Sequence, residues 1–349
     1  MTRFLGLSVL LALLLNLACA RSENPGKNAG TAEPSAESQE REPGRTPIAF
    51  TLREKDLIPE GIAADPATGR LFVGSIEKRK IVALSPEGKE STFVPSGAAG
   101  LGPVIGLRVD SAGGRLWAVS EPAGRPKSDP ATIHGVYAFK LSDGSLAAKI
   151  ELPRKLHRGH SLNDLCLDDA GTVYVTDSES GAIYRAAPGE KKLSELPLAP
   201  GASGHLKNAN GIACLPGSSR LYVATAMGLV AVDPQAGTAI PLAAPQDPPK
   251  ALGGWDGLYL EAPDRLIGIQ NGYPGKERVL RATLDPTGLA VLRVEVLLEG
   301  DPSFEIPTTG ALLNGAFYLI ANSQVASYDP VGNLDRRKLR RPVILRLGL

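Results

Sequence analysis

The chain has 349 residues and a formal net charge of +1, with 38 basic side chains against 37 acidic ones. That balance argues against a partner recognised mainly through charge, such as nucleic acid or an anionic membrane surface. The 39 glycines and 29 prolines follow no collagen period, so they are expected in turns and in a disordered tail.

The first twenty residues read as an export signal. Arg3 gives a positive start, Phe4 to Leu15 is an apolar run, and small residues follow at Ala18 and Ala20. The run is too short, and wrongly flanked, for an ordinary transmembrane helix. Two processing routes stay open. Ala18-Cys19-Ala20 fits cleavage before Arg21, whereas Leu17-Ala18-Cys19 fits a bacterial lipoprotein signal with Cys19 lipidated and retained, although Asn16 departs from that pattern. The expected location is the periplasm, or a membrane to which the chain is held only by lipid on Cys19. Residues 21–46 contain no Val, Ile, Leu or aromatic side chain and are expected to form a disordered linker.

From residue 47 onward one pattern recurs six times: alternating apolar residues, a turn, then a second strand rich in β-branched and aromatic residues. The copies begin at Gly61, Gly106, Asp164, Gly211, Gly257 and Gly310, at intervals of 45, 58, 47, 46 and 53 residues. Further strands such as KIVALSP, GVYAFKL, AIYRAAP, GLVAVDP and RVLRATL fill the intervals. Four-stranded units of this length are propeller blades. The expected fold is an all-β, six-bladed β-propeller over residues 47–349. IAFTLR, near its start, should seal the ring as the outer strand of the last blade, beside PVILRLGL near its end, leaving no exposed sheet edge.

The residue before each repeat start is Glu60, Ile105, Asn163, Asn210, Asp256 and Thr309. Repeat symmetry places all six at one level around the channel axis. Two carboxylates and two amides at that level suit a hard divalent cation, Ca²⁺ first, with Zn²⁺ or Mn²⁺ also open. The two carboxylates would otherwise repel one another. The second strands end at Ser75, Glu121, Asp177, Thr225, Asn271 and Asn322, near the same mouth. Of these, Glu121, Asp177, Asn271 and Asn322, together with Ser161, are candidates to contact substrate or support the ligands. Cys166 and Cys214 fall three and four residues after Asn163 and Asn210, so they should point to opposite faces of their strands. They are read as buried, unpaired thiols, with a disulfide as the other reading.

These residues resemble the senescence-marker-protein/gluconolactonase (regucalcin-like) family and, more distantly, the paraoxonases. The matching pieces are PEGIAADP, LNDLCLDDAGTVYVTDS, NANGIACLPGSSRLYV and WDGLYLEAPDRLIG. The resemblance implies a six-bladed propeller with a divalent metal in its channel, held by Glu60, Asn163, Asn210 and Asp256, and hydrolysis of lactones or related esters. The chain departs from the family pattern at Ser161, where sugar lactonases often carry Arg, and in WDG where PDG is commoner. The first departure bears on a sugar-acid substrate more than on the metal.

The expected activity is therefore metal-assisted opening of a cyclic ester by an exported monomer acting on a small molecule. Asp256 is the first candidate for the base that activates water, and His160 the second. His134, His157 and His205 are read as structural or solvated. No nucleophile elbow, phosphate loop or zinc-protease histidine pair occurs. The run Arg336, Arg337, Lys338, Arg340, Arg341 is read as a solvated loop rather than a site for an anionic partner. The alternative to an enzyme is a non-catalytic binding or scaffolding propeller in which the ion is structural.

Overall fold

The computed structural model describes residues 46–121, 134–153, 159–245, 252–273, 276–329 and 332–349. The expected export signal with Cys19, the linker as far as residue 45, and His157 lie outside these residues. Thr46, assigned to the linker from the sequence, is already buried.

Each repeat folds as a four-stranded antiparallel sheet whose first strand lies innermost. The chain enters through β1 (Ile48–Thr51). Blade 1 follows with β2 (Pro59–Asp65), β3 (Arg70–Ser75), β4 (Ile81–Leu84) and β5 (Glu90–Val94). Blade 2 is β6 (Val104–Asp110), β7 (Arg115–Ser120), β8 (Gly135–Lys140) and β9 (Leu146–Glu151). Blade 3 is β10 (Leu162–Leu167), β11 (Val173–Asp177), β12 (Ile183–Ala186) and β13 (Ser194–Glu195). Blade 4 is β14 (Ile212–Cys214), β15 (Leu221–Ala224), β16 (Leu229–Asp233) and β17 (Thr238–Pro241). Blade 5 is β18 (Trp255–Ala262), β19 (Arg265–Tyr273), β20 (Lys276–Leu284) and β21 (Val291–Glu299). Blade 6 is β22 (Gly310–Leu313), β23 (Ala316–Ile320) and β24 (Val343–Gly348), with β1 added at its outer edge. The six-bladed β-propeller and its N-terminal seal are as the repeat predicts.

The hairpins at the inner edge of the blades owe their turns to aspartate and glycine. Asp65 accepts the Ala67 N–H and Asp110 the Gly113 N–H, while Gly69 and Gly114 adopt φ of 71° and 63°. The short carboxylate replaces a missing backbone partner, and glycine takes the left-handed conformation without steric cost. Alternation along the strands then builds one apolar cluster at each blade interface, six in all among the described residues. Phe72 of blade 1 packs with Tyr137 and Phe139 of blade 2, for example, and Tyr259 of blade 5 with Phe317 of blade 6. The innermost strands pack in cyclic order, β22 closing against β2.

One expectation is overturned. Cys166 and Cys214 form a disulfide, with their Cα atoms 5.7 Å apart. They do point to opposite faces, as the sequence indicates. In a ring, however, the opposite faces of neighbouring blades are the ones that meet. Cys166 pairs across with Tyr174, but Cys214 pairs with Leu221, one position further along its blade, so β10 and β14 present the two sulfurs to each other.

The basic run near the end of the chain is paired on the surface. Arg336 reaches Asp56 and Glu77, Arg337 reaches Asp335, and Arg340 reaches Glu305.

Candidate functional site

At the start of the innermost strand the same irregularity recurs in blades 1, 2, 3 and 5. In blade 1, Pro59 pairs with Ser75 and Ile62 with Val73, so Glu60 and Gly61 together oppose Gly74 alone. Ile105–Gly106, Asn163–Asp164 and Asp256–Gly257 stand in the same two-against-one relation. Such a bulge bends the strand and re-aims a side chain. Here it brings the first residue of each pair to one level of the channel. The second residue lies against the next blade. A Cβ on Gly106 would come within 2.7 Å of the Asn163 carbonyl oxygen, and those on Gly61 and Gly211 would drive into the carbonyls of Ile105 and Asp256.

Glu60 and Asp256 are 8% and 7% exposed, and the charge of Asp256 acts on Glu60. Burial raises Glu60 well above the usual carboxylate range, and the charges of Asp256 and Asp164 add to the effect. Burial also pushes Asp256 up to about 7, against hydrogen bonding from Asn271 and Asn210, with Asp164 raising it further. Asn271 Nδ2 donates to Asp256 Oδ2 at 2.6 Å and to the Pro307 carbonyl at 2.9 Å. Glu60 Oε2, Asn210 Oδ1 and Asp256 Oδ1 are buried and have no hydrogen-bond partner. Leaving three buried acceptors unsatisfied costs free energy that a cation between them would recover. The fourth residue in register, Asn163, donates to Ser178 Oγ at 3.1 Å, which leaves its carbonyl oxygen as a donor to a metal. Hard oxygen donors of this kind suit a cation such as Ca²⁺. Among the described residues no group of three or more His, Cys, Asp and Glu is arranged to hold a metal ion. A centre here therefore depends on the amides as much as on the two acids.

The remaining candidates fall into different settings. Thr309 Oγ1 donates to the Glu60 carbonyl and accepts the Ile62 N–H, tying blade 6 to blade 1. Asp177 is saturated: Oδ1 accepts the N–H groups of Ser161, Glu179 and Ser180, and Oδ2 meets His160 Nδ1 at 2.6 Å. The same His160 nitrogen lies 3.0 Å from the Tyr184 hydroxyl. The polar partners of His160 thus stand on β11 and β12, and none of its described hydrogen bonds reaches Asp256. Glu121 accepts the Leu162 N–H and lies 3.3 Å from His134 Nδ1. Asn322 bridges Arg341 and Val343 at the ring seal. Ser161 enters through its backbone, Ser75 bonds the Leu57 carbonyl, and Thr225 the Gly228 carbonyl. Of the second-strand ends, Asn271 alone holds one of the four register residues by a described hydrogen bond.

Two residues that the sequence reading passed over are prominent. Asp164 stands where the other five repeats have glycine, and it is 2% exposed. Burial raises its pKa, opposed by Arg108 and by the N–H groups of Leu165 and Ile212. Arg108 in turn lies three residues beyond the register residue of blade 2. At that position the other repeats carry Ala63, Cys166, Ala213, Tyr259 and Leu312. One charged side chain among five uncharged ones is a signal a repeat alignment displays. Beyond this level a cavity of about 740 Å³ opens at the opposite end of the channel, lined by Arg108, Tyr259, the disulfide and the hairpin turns. None of the four register residues lines it.

A family model described as the SMP-30/Gluconolactonase/LRE-like region matches residues 58–294, a span that includes Glu60, Asn163, Asn210 and Asp256. The chain belongs to this family. Among solved structures, it resembles a calcium-binding regucalcin of Agrobacterium tumefaciens at 16% identity and a TM-score of 0.54, covering 87% of this chain and 96% of that one. It resembles a gluconolactonase of Xanthomonas campestris at 17% identity and a TM-score of 0.54, covering 87% and 88%. A PQQ-bound aldose sugar dehydrogenase of Streptomyces coelicolor is equally similar, at 16% identity and a TM-score of 0.55, covering 87% and 97%. At these identities the likeness establishes the propeller, and the SMP-30/gluconolactonase assignment rests on the family match. No curated protein matches the chain in sequence.

Proposed function

We propose that this SMP-30/gluconolactonase-family propeller is a metal-dependent hydrolase of lactones or related esters, with a divalent cation, Ca²⁺ first, held by Glu60, Asn163, Asn210 and Asp256. The observation that carries the reading is the set of three buried, unpartnered oxygens on Glu60, Asn210 and Asp256. When bound, the cation supplies Lewis-acid polarisation of the ester carbonyl. The chain's own residues supply orientation and proton transfer. Asn271 pins Asp256 Oδ2, which fixes the carboxylate and leaves Oδ1 buried and without a hydrogen-bond partner. Asp256 takes a proton from the attacking water as the new C–O bond forms. It returns that proton to the ring oxygen as the ester C–O bond breaks, so the product is the open hydroxy acid. Any part played by His160 falls to Nε2, since Nδ1 is engaged by Asp177 and Tyr184. Export is part of the same proposal, and the disulfide supports it, because such bonds persist in oxidising compartments.

The test is turnover of aliphatic, aromatic and sugar lactones by the purified protein with Ca²⁺, Zn²⁺, Mn²⁺ or EDTA, beside Asp256→Ala. Metal-dependent hydrolysis reduced at least about 100-fold in the variant is expected for loss of the base. If Ca²⁺ raises the melting temperature while no lactone is opened, the non-catalytic binding or scaffolding reading replaces this one.

A further inference from the structure

The channel holds a third buried carboxylate, and the fold answers it with a cation of its own. Arg108, on β6, extends along the channel and donates Nη2 to Asp164 Oδ2 and to the Ile212 carbonyl, both at 3.1 Å. Its Nε donates to the Leu165 carbonyl, also at 3.1 Å. The guanidinium lies 4.7 Å from the ring centroid of Tyr259, on the blade diametrically opposite. Tyr259 in turn accepts the Gly310 N–H of blade 6 at 2.9 Å. One side chain thus touches blades 3, 4 and 5 and crosses the ring one level beyond Glu60 and Asp256. The guanidinium does not lose its proton in a protein, so its charge is permanent. The planar fork also makes contacts that an ammonium would not reproduce.

We propose that Arg108 is a resident cation that sets the charge of the channel. By pairing with Asp164 it leaves two carboxylates, Glu60 and Asp256, to face an incoming ion, and it thereby favours divalent over trivalent cations. The proposal rests on the cation reading of the channel mouth given above. The repeat supports it, since Arg108 and Asp164 each break the pattern of their own position and the two exceptions meet. Repulsion from a fixed unit charge scales with the charge of the ion, so a trivalent ion is penalised more than a divalent one.

The test is calorimetric titration of Ca²⁺ and La³⁺ into wild type, Arg108→Met and Arg108→Lys. The methionine variant should bind Ca²⁺ about tenfold and La³⁺ about thirtyfold more tightly, because the lost repulsion grows with ion charge. Arg108→Lys should keep the wild-type ratio of the two affinities. Equal weakening of both ions in both variants would mean a purely structural strut and would overturn the proposal, as would an unchanged ratio in Arg108→Met. Melting temperatures in EDTA for Arg108→Met, Asp164→Asn and the double variant give a readout independent of metal. The double variant should lose less than the sum of the single losses. Additive losses would show that the pair is uncoupled and would sink the idea. Failure of the wild type to bind either ion would instead strike at the cation reading itself.

Discussion

Gly61 shows how little room a single position leaves in this ring. Its α-carbon faces the Ile105 carbonyl oxygen of the next blade, and a methyl group there would overlap backbone rather than a side chain able to swing aside. Gly61→Ala should therefore destabilise the fold by about 2–4 kcal/mol, in the range of overpacking that the backbone cannot relieve. Chemical denaturation would measure it, and an unchanged midpoint would mean that the blades separate easily. The glycines of the repeat were legible as a period, and so were the four oxygen-bearing residues at the position before each repeat start. Pair interactions were not. That Asn271 holds Asp256, or that His160 turns to Asp177 and Tyr184, depends on which way a side chain leaves a strand end. Six copies of one repeat show where a copy departs from the pattern, but not which partner its side chain meets.

At the scale of strands and turns, the disulfide ties together the two strands that lie next to the amide residues. β10 delivers Asn163 and β14 follows Asn210, and the Cys166–Cys214 bond joins these two strands directly beyond the amides. A cross-link closing a loop of 48 residues restricts the unfolded chain by about 4 kcal/mol on the chain-entropy estimate. Replacing both cysteines by serine should lower stability by about 2–4 kcal/mol. Scanning calorimetry of the double variant beside reduced and oxidised wild type would check it, and identical curves would refute it. Each strand's facing was readable from the sequence, because alternation is local. The pairing was missed because the packing of neighbouring blades turns opposite faces into facing ones, which a strand considered alone does not reveal.

Across the whole molecule, stability is distributed around a circle. Among the described residues the strands of each blade bury most of their apolar side chains against the neighbouring blades, so the closing joint bears on the whole ring. That joint is β1 against β24, reinforced by the fully buried Leu52, whose N–H bonds the Pro342 carbonyl at 2.8 Å. Deleting residues 46–52 should lower the melting temperature by about 10 °C and bare an unpaired strand edge prone to association. Calorimetry and light scattering would report both effects, and retention of the wild-type transition would show that the ring does not need the seal.

The same joint imposes a timetable. Glu60 is the first of the four register residues to leave the ribosome, yet the blade that braces it through Thr309 is finished only when β24 has been made. The four oxygen donors reach their common level when segments made far apart in time meet. Any ion proposed for the channel is therefore acquired only once β24 has been made, and which ion enters first depends on the surroundings in which that strand docks.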